Sequence, residues 1–186
     1  MHKIILASKS PRRKQLLELA EIPFEIISAD TDEHYPNNLS VEEIPVFIAK
    51  QKAVAVAKEQ PHKIILAADT IVAIDNEVIG KPKNRADAIR ILQKLSGRTH
   101  RVITGVAILS EDKEEYFYDI TEVSFHPLSD KQIEFYIDKY KPYDKAGAYA
   151  IQEWIGAVGI KKINGDFYNV MGLPVSRVVQ TLQRFA

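Results

Sequence analysis

The start of the chain constrains the fold more than any other stretch, because an apolar run leads almost at once into a helix start. Residues 4–7 predict a buried strand, and residues 12–20 have the apolar spacing of a helix. Between them, Ser10 stands where a helix N-cap is expected and Pro11 where the first helical residue is expected. The sequence therefore predicts a strand that leads directly into a capped helix, an order typical of α/β proteins.

The first turn of this helix carries two cations, Arg12 and Arg13. A helix N-terminus is locally positive, so two guanidinium groups are unfavourable there unless an anion binds. Guanidinium groups bind phosphate through paired hydrogen bonds. The stretch from Ser8 to Arg13 is therefore either a polyphosphate site or an ordinary turn with two solvated arginines.

Strand-like and helix-like segments alternate along the rest of the chain. Further strands are predicted at residues 24–28 and 63–67, and further helices at residues 41–58, 85–95 and 175–185. A hairpin is predicted from residues 71–74 and 77–79, and pairing is expected between residues 101–109 and 116–125. We therefore predict a single α/β domain over residues 1–186, with a mixed, elongated, twisted sheet flanked by helices.

Charge and composition narrow the class of function. The chain has 25 basic and 25 acidic side chains, so its formal net charge is zero and no broad surface for nucleic acid is expected. It has no cysteine, which excludes disulfides and thiolate chemistry and is compatible with a cytoplasmic location. The apolar runs are short and interrupted by charges, so we expect a soluble, unprocessed protein that does not engage a membrane.

Several enzyme classes are disfavoured by missing motifs. The five histidines are scattered without metal-ligand spacing, and we interpret them as structural or exposed. Ser8 and Ser10 have no histidine or acidic partner nearby in the sequence, which argues against a serine hydrolase. The glycines form neither a Walker nor a dinucleotide-binding pattern, which argues against a kinase or a dehydrogenase.

Asp69 and Thr70 lie between two apolar runs, and we expect them at the end of a core strand. Open α/β sheets place ligand chemistry at such strand ends, although an aspartate there also commonly caps a turn. A short distance further, Gly80 permits close backbone approach, and Lys81 is either a phosphate ligand or an exposed loop lysine.

A small acidic cluster is formed by Asp30, Asp32 and Glu33. Magnesium takes only one or two protein carboxylates and completes its shell with water and phosphate oxygens, so one of these acids together with Asp69 would suffice. The alternative is a solvated acidic loop. Lys52 lies in an alanine-rich helical segment, and it would be a phosphate ligand if it faced inward.

Motifs distributed along nearly the whole chain carry a family resemblance. They are residues 8–13 with 16–17, 52–53, 68–70, 80–82, 96–100, 104–106, 147–152 and 165–174. Each is weak alone, but in this order they are specific. The chain resembles the Maf family of nucleoside triphosphate pyrophosphatases, and the resemblance implies a fold like that of inosine triphosphatases.

The resemblance implies hydrolysis of a nucleoside triphosphate to the monophosphate and pyrophosphate, with a divalent cation such as Mg²⁺ or Mn²⁺. It assigns the proton acceptor to Asp69 and substrate choice to Arg12, Thr70 and Gln152. Other polar positions that match the family are Arg13, Glu33, Lys52 and Lys81. We expect the phosphates to be bound by Ser10, Arg13, Lys52 and Lys81, and the metal by Glu33 and Asp69. Asp69 is a direct base, a metal ligand or both, and the sequence leaves these alternatives open. A homodimer is a further implication of the resemblance.

Residues 147–152, together with Asp69 and Thr70, resemble the branch that prefers dTTP and UTP, and modified pyrimidine nucleotides are further candidate substrates. The Gln152 amide offers both a donor and an acceptor to a pyrimidine edge. Tyr149 either packs near the base or fills the core. Many relatives have glycine where this chain has Glu153.

Two other functions stay open at this point. One is a nucleotide-binding regulator of cell division and septum formation whose hydrolysis is incidental. The other is a house-cleaning enzyme directed at purine nucleotides.

Overall fold

Strands and helices alternate through residues 3–185, the part of the chain that this computed structural model describes. The strands are β1 (Ile4–Leu6), β2 (Phe24–Ile26), β3 (Ile65–Ile74), β4 (Glu77–Ile79), β5 (Thr99–Leu109), β6 (Glu114–Phe125) and β7 (Ile160–Asn164). The helices are α1 (Pro11–Leu19), α2 (Glu43–Ala57), α3 (Arg85–Leu95), α4 (Asp130–Tyr140), α5 (Trp154–Gly159), α6 (Phe167–Met171) and α7 (Val175–Leu182). Short 3₁₀ turns occupy Ala146–Ala148 and Gln183–Phe185.

The described strands form one mixed sheet. Their order is β2-β1-β3-β5-β6-β7, with β4 paired to β3. β1 is parallel to both β2 and β3. β4 is antiparallel to β3, and β7 is antiparallel to β6. The prediction of a mixed α/β sheet with flanking helices is confirmed.

The described residues fall into two compact units. The first contains residues 3–70, 104–119 and 172–185, and the second contains residues 71–103 and 120–171. β3, β5 and β6 contribute residues to both units. Small and aliphatic side chains of β1, α2, β3 and β5 form the core of the first unit. The core of the second unit draws on α3, α4 and the β3–β4 hairpin. The expectation of a single domain stays a prediction.

Close backbone packing fixes α2 in the first unit. Ala49 and Ala53 are fully buried, so this face of the helix carries no bulk that would hold it away from its neighbours. A Cβ atom at Gly105 of β5 would lie 2.2 Å from backbone atoms of Pro45 and Val46, so only glycine fits against the first turn of α2. This packing determines where the side chains of α2 point.

The expectation that Asp69 and Thr70 follow the end of a strand is wrong. β3 continues through both residues as a single ten-residue strand, and only these two positions are less than fully buried. Backbone pairing does not require apolar side chains, and β3 lies between β1 and β5 in the sheet. The polar pair therefore interrupts the apolar pattern without interrupting the strand.

In the described residues, no helix is both long enough and apolar enough to cross a membrane.

Candidate active site

The connection from β1 to α1 is organised by Ser8. Pro11 is the first helical residue, as predicted, and Ser10 occupies the N-cap position with extended backbone. The prediction that the Ser10 side chain caps the helix is wrong, because it makes no capping hydrogen bond. The Ser10 N–H instead donates to Ser8 Oγ at 3.3 Å, so the preceding serine shapes the loop.

Arg13 is buried and joins three segments of the first unit. Its Nε donates to the Gly172 carbonyl at 2.8 Å, Nη1 to Ser8 Oγ at 3.0 Å and Nη2 to Thr70 Oγ1 at 3.0 Å. Burial lowers the pKa of Arg13, and the nearby Asp69 carboxylate partly offsets this. The guanidinium group remains a cation, because arginine side chains are not deprotonated in proteins. Arg13 is therefore a fixed, internally bonded positive charge.

Arg12 precedes Arg13 in the first turn of α1 and is half-buried. It lies close enough for its charge to contribute to lowering the Arg13 pKa, after the larger effect of burial. The helix start thus concentrates positive charge, as the sequence predicts.

The Thr70 hydroxyl belongs to the same network. It accepts the Arg13 hydrogen bond and lies 2.9 Å from Thr104 Oγ1 and 3.4 Å from the Gly172 carbonyl oxygen. A hydroxyl has one proton, so Thr70 can donate to only one of these two neighbours. Thr104 and Gly172 were not predicted as site residues, although both lie in motifs that carry the family resemblance.

Lys52 faces inward and brings two carboxylates together. Its Nζ lies 2.7 Å from Asp69 Oδ1 and 2.8 Å from Glu33 Oε1. The side chains of Lys52 and Asp69 are only 17% and 15% exposed, whereas Glu33 is 53% exposed. The ammonium group therefore neutralises a largely buried acid and holds a more accessible one beside it.

The structure separates Glu33 from the other acids of its cluster. Asp30 is exposed and paired with Lys9 at 3.0 Å, and Asp32 is exposed and hydrogen-bonded to His34. The solvated interpretation therefore holds for Asp30 and Asp32. Among the described residues, no group of three or more histidine, aspartate or glutamate side chains is arranged to hold a metal ion. Asp69 and Glu33 together supply two carboxylates, which is the number that magnesium typically takes from a protein.

The second unit contains the two remaining candidates, Lys81 and Gln152, and both are exposed. The Gly147 N–H donates to the Gly80 carbonyl at 3.2 Å, so the segments that carry these two residues are neighbours. The proximity of these two segments could not be read from the sequence, because it depends on how the end of the β3–β4 hairpin packs against the turn before Tyr149.

Tyr149 fills the core of the second unit. Its side chain is buried, its hydroxyl lies 2.7 Å from His100 Nε2, and its ring packs edge-on against Phe125. Of the two alternatives for this tyrosine, core packing is the one observed. His100 is likewise buried, in agreement with its interpretation as a structural residue.

A family model that describes Maf-like proteins matches residues 3–185. The chain belongs to the Maf family. The dTTP/UTP pyrophosphatase of Cytophaga hutchinsonii is 56% identical over 97% of this chain and 83% of its own length. Proteins of the same name from Bacillus velezensis and Parabacteroides distasonis are 51% and 49% identical, and the matches cover 98% and 99% of this chain and 96% of each relative. The resemblance inferred from the motifs is confirmed.

Among solved structures, the Ham1 protein of Staphylococcus aureus is 17% identical, with a TM-score of 0.46 over 67% of this chain and 72% of its own. This likeness is too distant to add to the fold described above.

The structure divides the residues that match the Maf pattern between the two units. In the first unit, hydrogen bonds and ion pairs connect Arg13 with Thr70 and connect Lys52 with both Asp69 and Glu33. Ser10 and Arg12 stand at the start of the same helix as Arg13. Lys81 and Gln152 lie on adjoining segments of the second unit.

Proposed function

We propose that this Maf-family chain hydrolyses dTTP and UTP to the nucleoside monophosphate and pyrophosphate. Relatives of that name are about half identical to it across nearly its whole length. The observation that carries the proposal is the largely buried Asp69 carboxylate, which Lys52 of α2 holds in place. Asp69 lies on the same strand as Thr70, whose hydroxyl accepts a hydrogen bond from Arg13. A fixed acid beside fixed cations suits hydrolysis of a polyanion.

Asp69 acts as the proton acceptor. Lys52 donates to Oδ1, so the carboxylate is oriented and Oδ2 is the oxygen that accepts the proton of water. The water oxygen bonds to the α-phosphorus, the bond from that phosphorus to the bridging oxygen breaks, and pyrophosphate departs with the electron pair. No covalent intermediate on the protein is required.

The cations have different tasks. Arg12, Lys52 and Lys81 bind phosphate oxygens, together with the Ser10 hydroxyl at the start of α1. Arg13 uses three of its five N–H groups inside the protein, so its contribution is a preorganised charge with few hydrogen bonds left for substrate. Negative charge that develops on departing pyrophosphate is thereby stabilised.

The donor set fits a divalent cation. Asp69 and Glu33 both contact one ammonium group, so their oxygens lie close together, and Glu33 is accessible enough to exchange Lys52 for another cation. These two residues would hold Mg²⁺ or Mn²⁺ with water and phosphate oxygens completing the shell. When bound, the cation supplies Lewis-acid polarisation of a phosphoryl oxygen.

Gln152 reads the base, since its amide can donate to and accept from a pyrimidine edge. Thr70 acts on substrate choice through the Arg13 network, in which its hydroxyl is engaged. The alternative of a regulator with incidental hydrolysis is not favoured, because the relatives are named as enzymes. A homodimer and a cytoplasmic location stay predictions.

Pyrophosphate release measured across dTTP, UTP, CTP, ATP, GTP and ITP, with Mg²⁺, Mn²⁺ or EDTA, tests the proposal. We expect turnover of dTTP and UTP that depends on metal. Asp69→Asn should lower kcat by at least about 100-fold while nucleotide binding persists. Asp30→Asn, which removes an exposed carboxylate, is the matched control and should leave turnover unchanged. Preferential turnover of a purine triphosphate would overturn the specificity, and no turnover at all would overturn the activity.

A further inference from the structure

One buried hydroxyl group ties together both ends of the turn that carries Gln152. The turn spans residues 150–153 and is closed by Glu153 N–H, which donates to the Ala150 carbonyl at 3.1 Å. The Ala150 N–H donates to the Tyr136 hydroxyl oxygen at 3.1 Å, and the Tyr136 hydroxyl donates to the Glu153 carboxylate. Gln152 is the exposed residue of this turn, and the hydrogen bonds that close the turn are made by its neighbours.

The direction of these hydrogen bonds is fixed by chemistry. A backbone N–H can only donate, so the Tyr136 oxygen accepts from Ala150, and its one proton is available for Glu153. Burial and the adjacent Glu153 carboxylate raise the pKa of Tyr136, which keeps that proton in place. The ring itself is fully buried on α4 and stacks on Tyr140 with 5.0 Å between centroids. The hydroxyl is thus a rigid anchor.

Glu153 and the helix that follows it hold the turn from the other side. Glu153 Oε1 lies 3.6 Å from the ammonium of Lys145, whose side chain is only 11% exposed. A Cβ atom at Gly156 would lie 1.7 Å from the Ile151 carbonyl oxygen, so α5 packs directly on the backbone of the turn. Gly156 N–H also donates to the Glu153 carbonyl at 2.9 Å. Movement of the turn would disturb all of these contacts.

We propose that Tyr136 and Glu153 are positioning residues that fix the Gln152 turn and thereby set how strongly the enzyme discriminates between nucleobases. This inference rests on the proposed role of Gln152. An amide reads a base edge only when its donor and acceptor are held in register, because a loose side chain can rotate to suit the wrong base. Neither positioning residue needs to touch the nucleotide. They affect the affinity and selectivity of substrate binding, and the rate of the chemical step is unchanged.

Tyr136→Phe removes the hydroxyl and keeps the ring. We expect KM for UTP and dTTP to rise about tenfold, and the ratio of kcat/KM for UTP over ATP to fall about tenfold, which is the effect of losing one well-placed hydrogen bond. kcat for UTP should stay within about twofold. Tyr140→Phe is the matched control, because it removes a neighbouring hydroxyl from the same helix and should change none of these values.

Two variants of Glu153 separate positioning from general support. Glu153→Gln keeps an oxygen that accepts from Tyr136 and should retain most of the base discrimination, whereas Glu153→Ala should reproduce Tyr136→Phe. A lower melting temperature for Tyr136→Phe and Glu153→Ala with unchanged KM and unchanged base ratio would overturn the inference. The two Glu153 variants also test the inference if Tyr136→Phe does not fold.

Gln152→Ala distinguishes failure of this inference from failure of the proposed function. If Gln152→Ala alters KM and base preference but the Tyr136 and Glu153 variants do not, only the positioning role is overturned. If Gln152→Ala has no effect, the proposed base-reading role fails and the inference fails with it. If the wild-type protein hydrolyses no nucleoside triphosphate, the proposed function itself is overturned.

Discussion

Lys52 Nζ donates a hydrogen bond of 2.7 Å to Asp69 Oδ1 and so connects α2 to the middle of β3. Both side chains are largely buried, and an unpaired charge is costly in the protein interior. The pair therefore does two things at once: it stabilises a buried carboxylate and fixes the direction in which that carboxylate points.

Replacing Lys52 should abolish most activity without abolishing the fold. Lys52→Met leaves Asp69 and Glu33 without their shared cation, and we expect kcat/KM for dTTP to fall by at least about 100-fold. Steady-state kinetics with a circular-dichroism spectrum of the variant measure both effects. Lys50→Met is the control, because Lys50 is exposed on the same helix and lies over the Tyr116 ring. Equal losses for the two variants would contradict the role given to Lys52.

Glu33 should affect the metal requirement more than the maximal rate. Glu33→Gln removes one of the two carboxylates that Lys52 brings together, so we expect the Mg²⁺ concentration for half-maximal activity to rise about 10-fold or more. Activity measured against Mg²⁺ concentration gives this value directly. Asp32→Asn changes the exposed neighbour and should leave the curve in place. An unchanged curve for Glu33→Gln would remove Glu33 from the proposed metal site.

Replacing Arg13 should mainly lower the stability of the fold, whereas replacing Arg12 should mainly alter substrate binding. Arg13→Met removes three internal hydrogen bonds of a buried guanidinium, and we expect the free energy of unfolding to fall by about 3 kcal/mol. Arg12→Met should change that free energy by less than about 1 kcal/mol but raise KM and shift preference among nucleotides. Urea unfolding and the nucleotide panel measure these quantities. Identical profiles for both variants would contradict the distinction.

His100 should make stability depend on pH. Burial lowers the pKa of His100 from 6.5 to about 4, and its Nδ1 has no hydrogen-bond partner among the described residues. The unfolded chain therefore takes up a proton on this histidine as the pH falls below 6.5, while the folded protein resists it until about pH 4. Stability from this group is complete above pH 6.5 and is lost towards pH 4, by about 3 kcal/mol in total.

Urea unfolding at several values between pH 7.5 and 4.5 tests this dependence. His100→Gln keeps a polar group near Tyr149 but cannot titrate, so its free energy of unfolding should fall less steeply with acid than that of the wild type. His126→Gln, at an exposed position, should retain the wild-type slope. A wild-type slope in His100→Gln would show that other groups carry the whole effect.

The parts of the fold that could be predicted are those with strong local signals. The observed bounds of α3, Arg85–Leu95, equal the predicted ones, because its apolar spacing is regular and Asn84 caps it by accepting from Asp87 N–H at 2.9 Å. α4 was not predicted, although Ser129 and Gln132 form a capping box that can be read in the sequence. α5 and α6 are only six and five residues long, too short for a periodic signal.

The candidate site was only partly predictable, for a different reason. The motifs identify Arg13, but its hydrogen bond to the Gly172 carbonyl joins residues 159 positions apart, and no local pattern reports such a contact. The same holds for the Tyr136–Glu153 pair, which forms only when α4 packs beside the turn after Tyr149. Sequence patterns show which side chains are available, whereas burial and long-range partners decide what each of them does.

Asp69 stands in the interior of a ten-residue strand, with fully buried residues on either side of the Asp69–Thr70 pair. A catalytic carboxylate on a loop can be displaced by local fraying while most of the protein stays folded, but a strand interior opens only with the sheet itself. Heating should therefore inactivate the enzyme in step with its cooperative melting. We expect residual activity and ellipticity to fall along the same thermal transition, without a folded but inactive form between them.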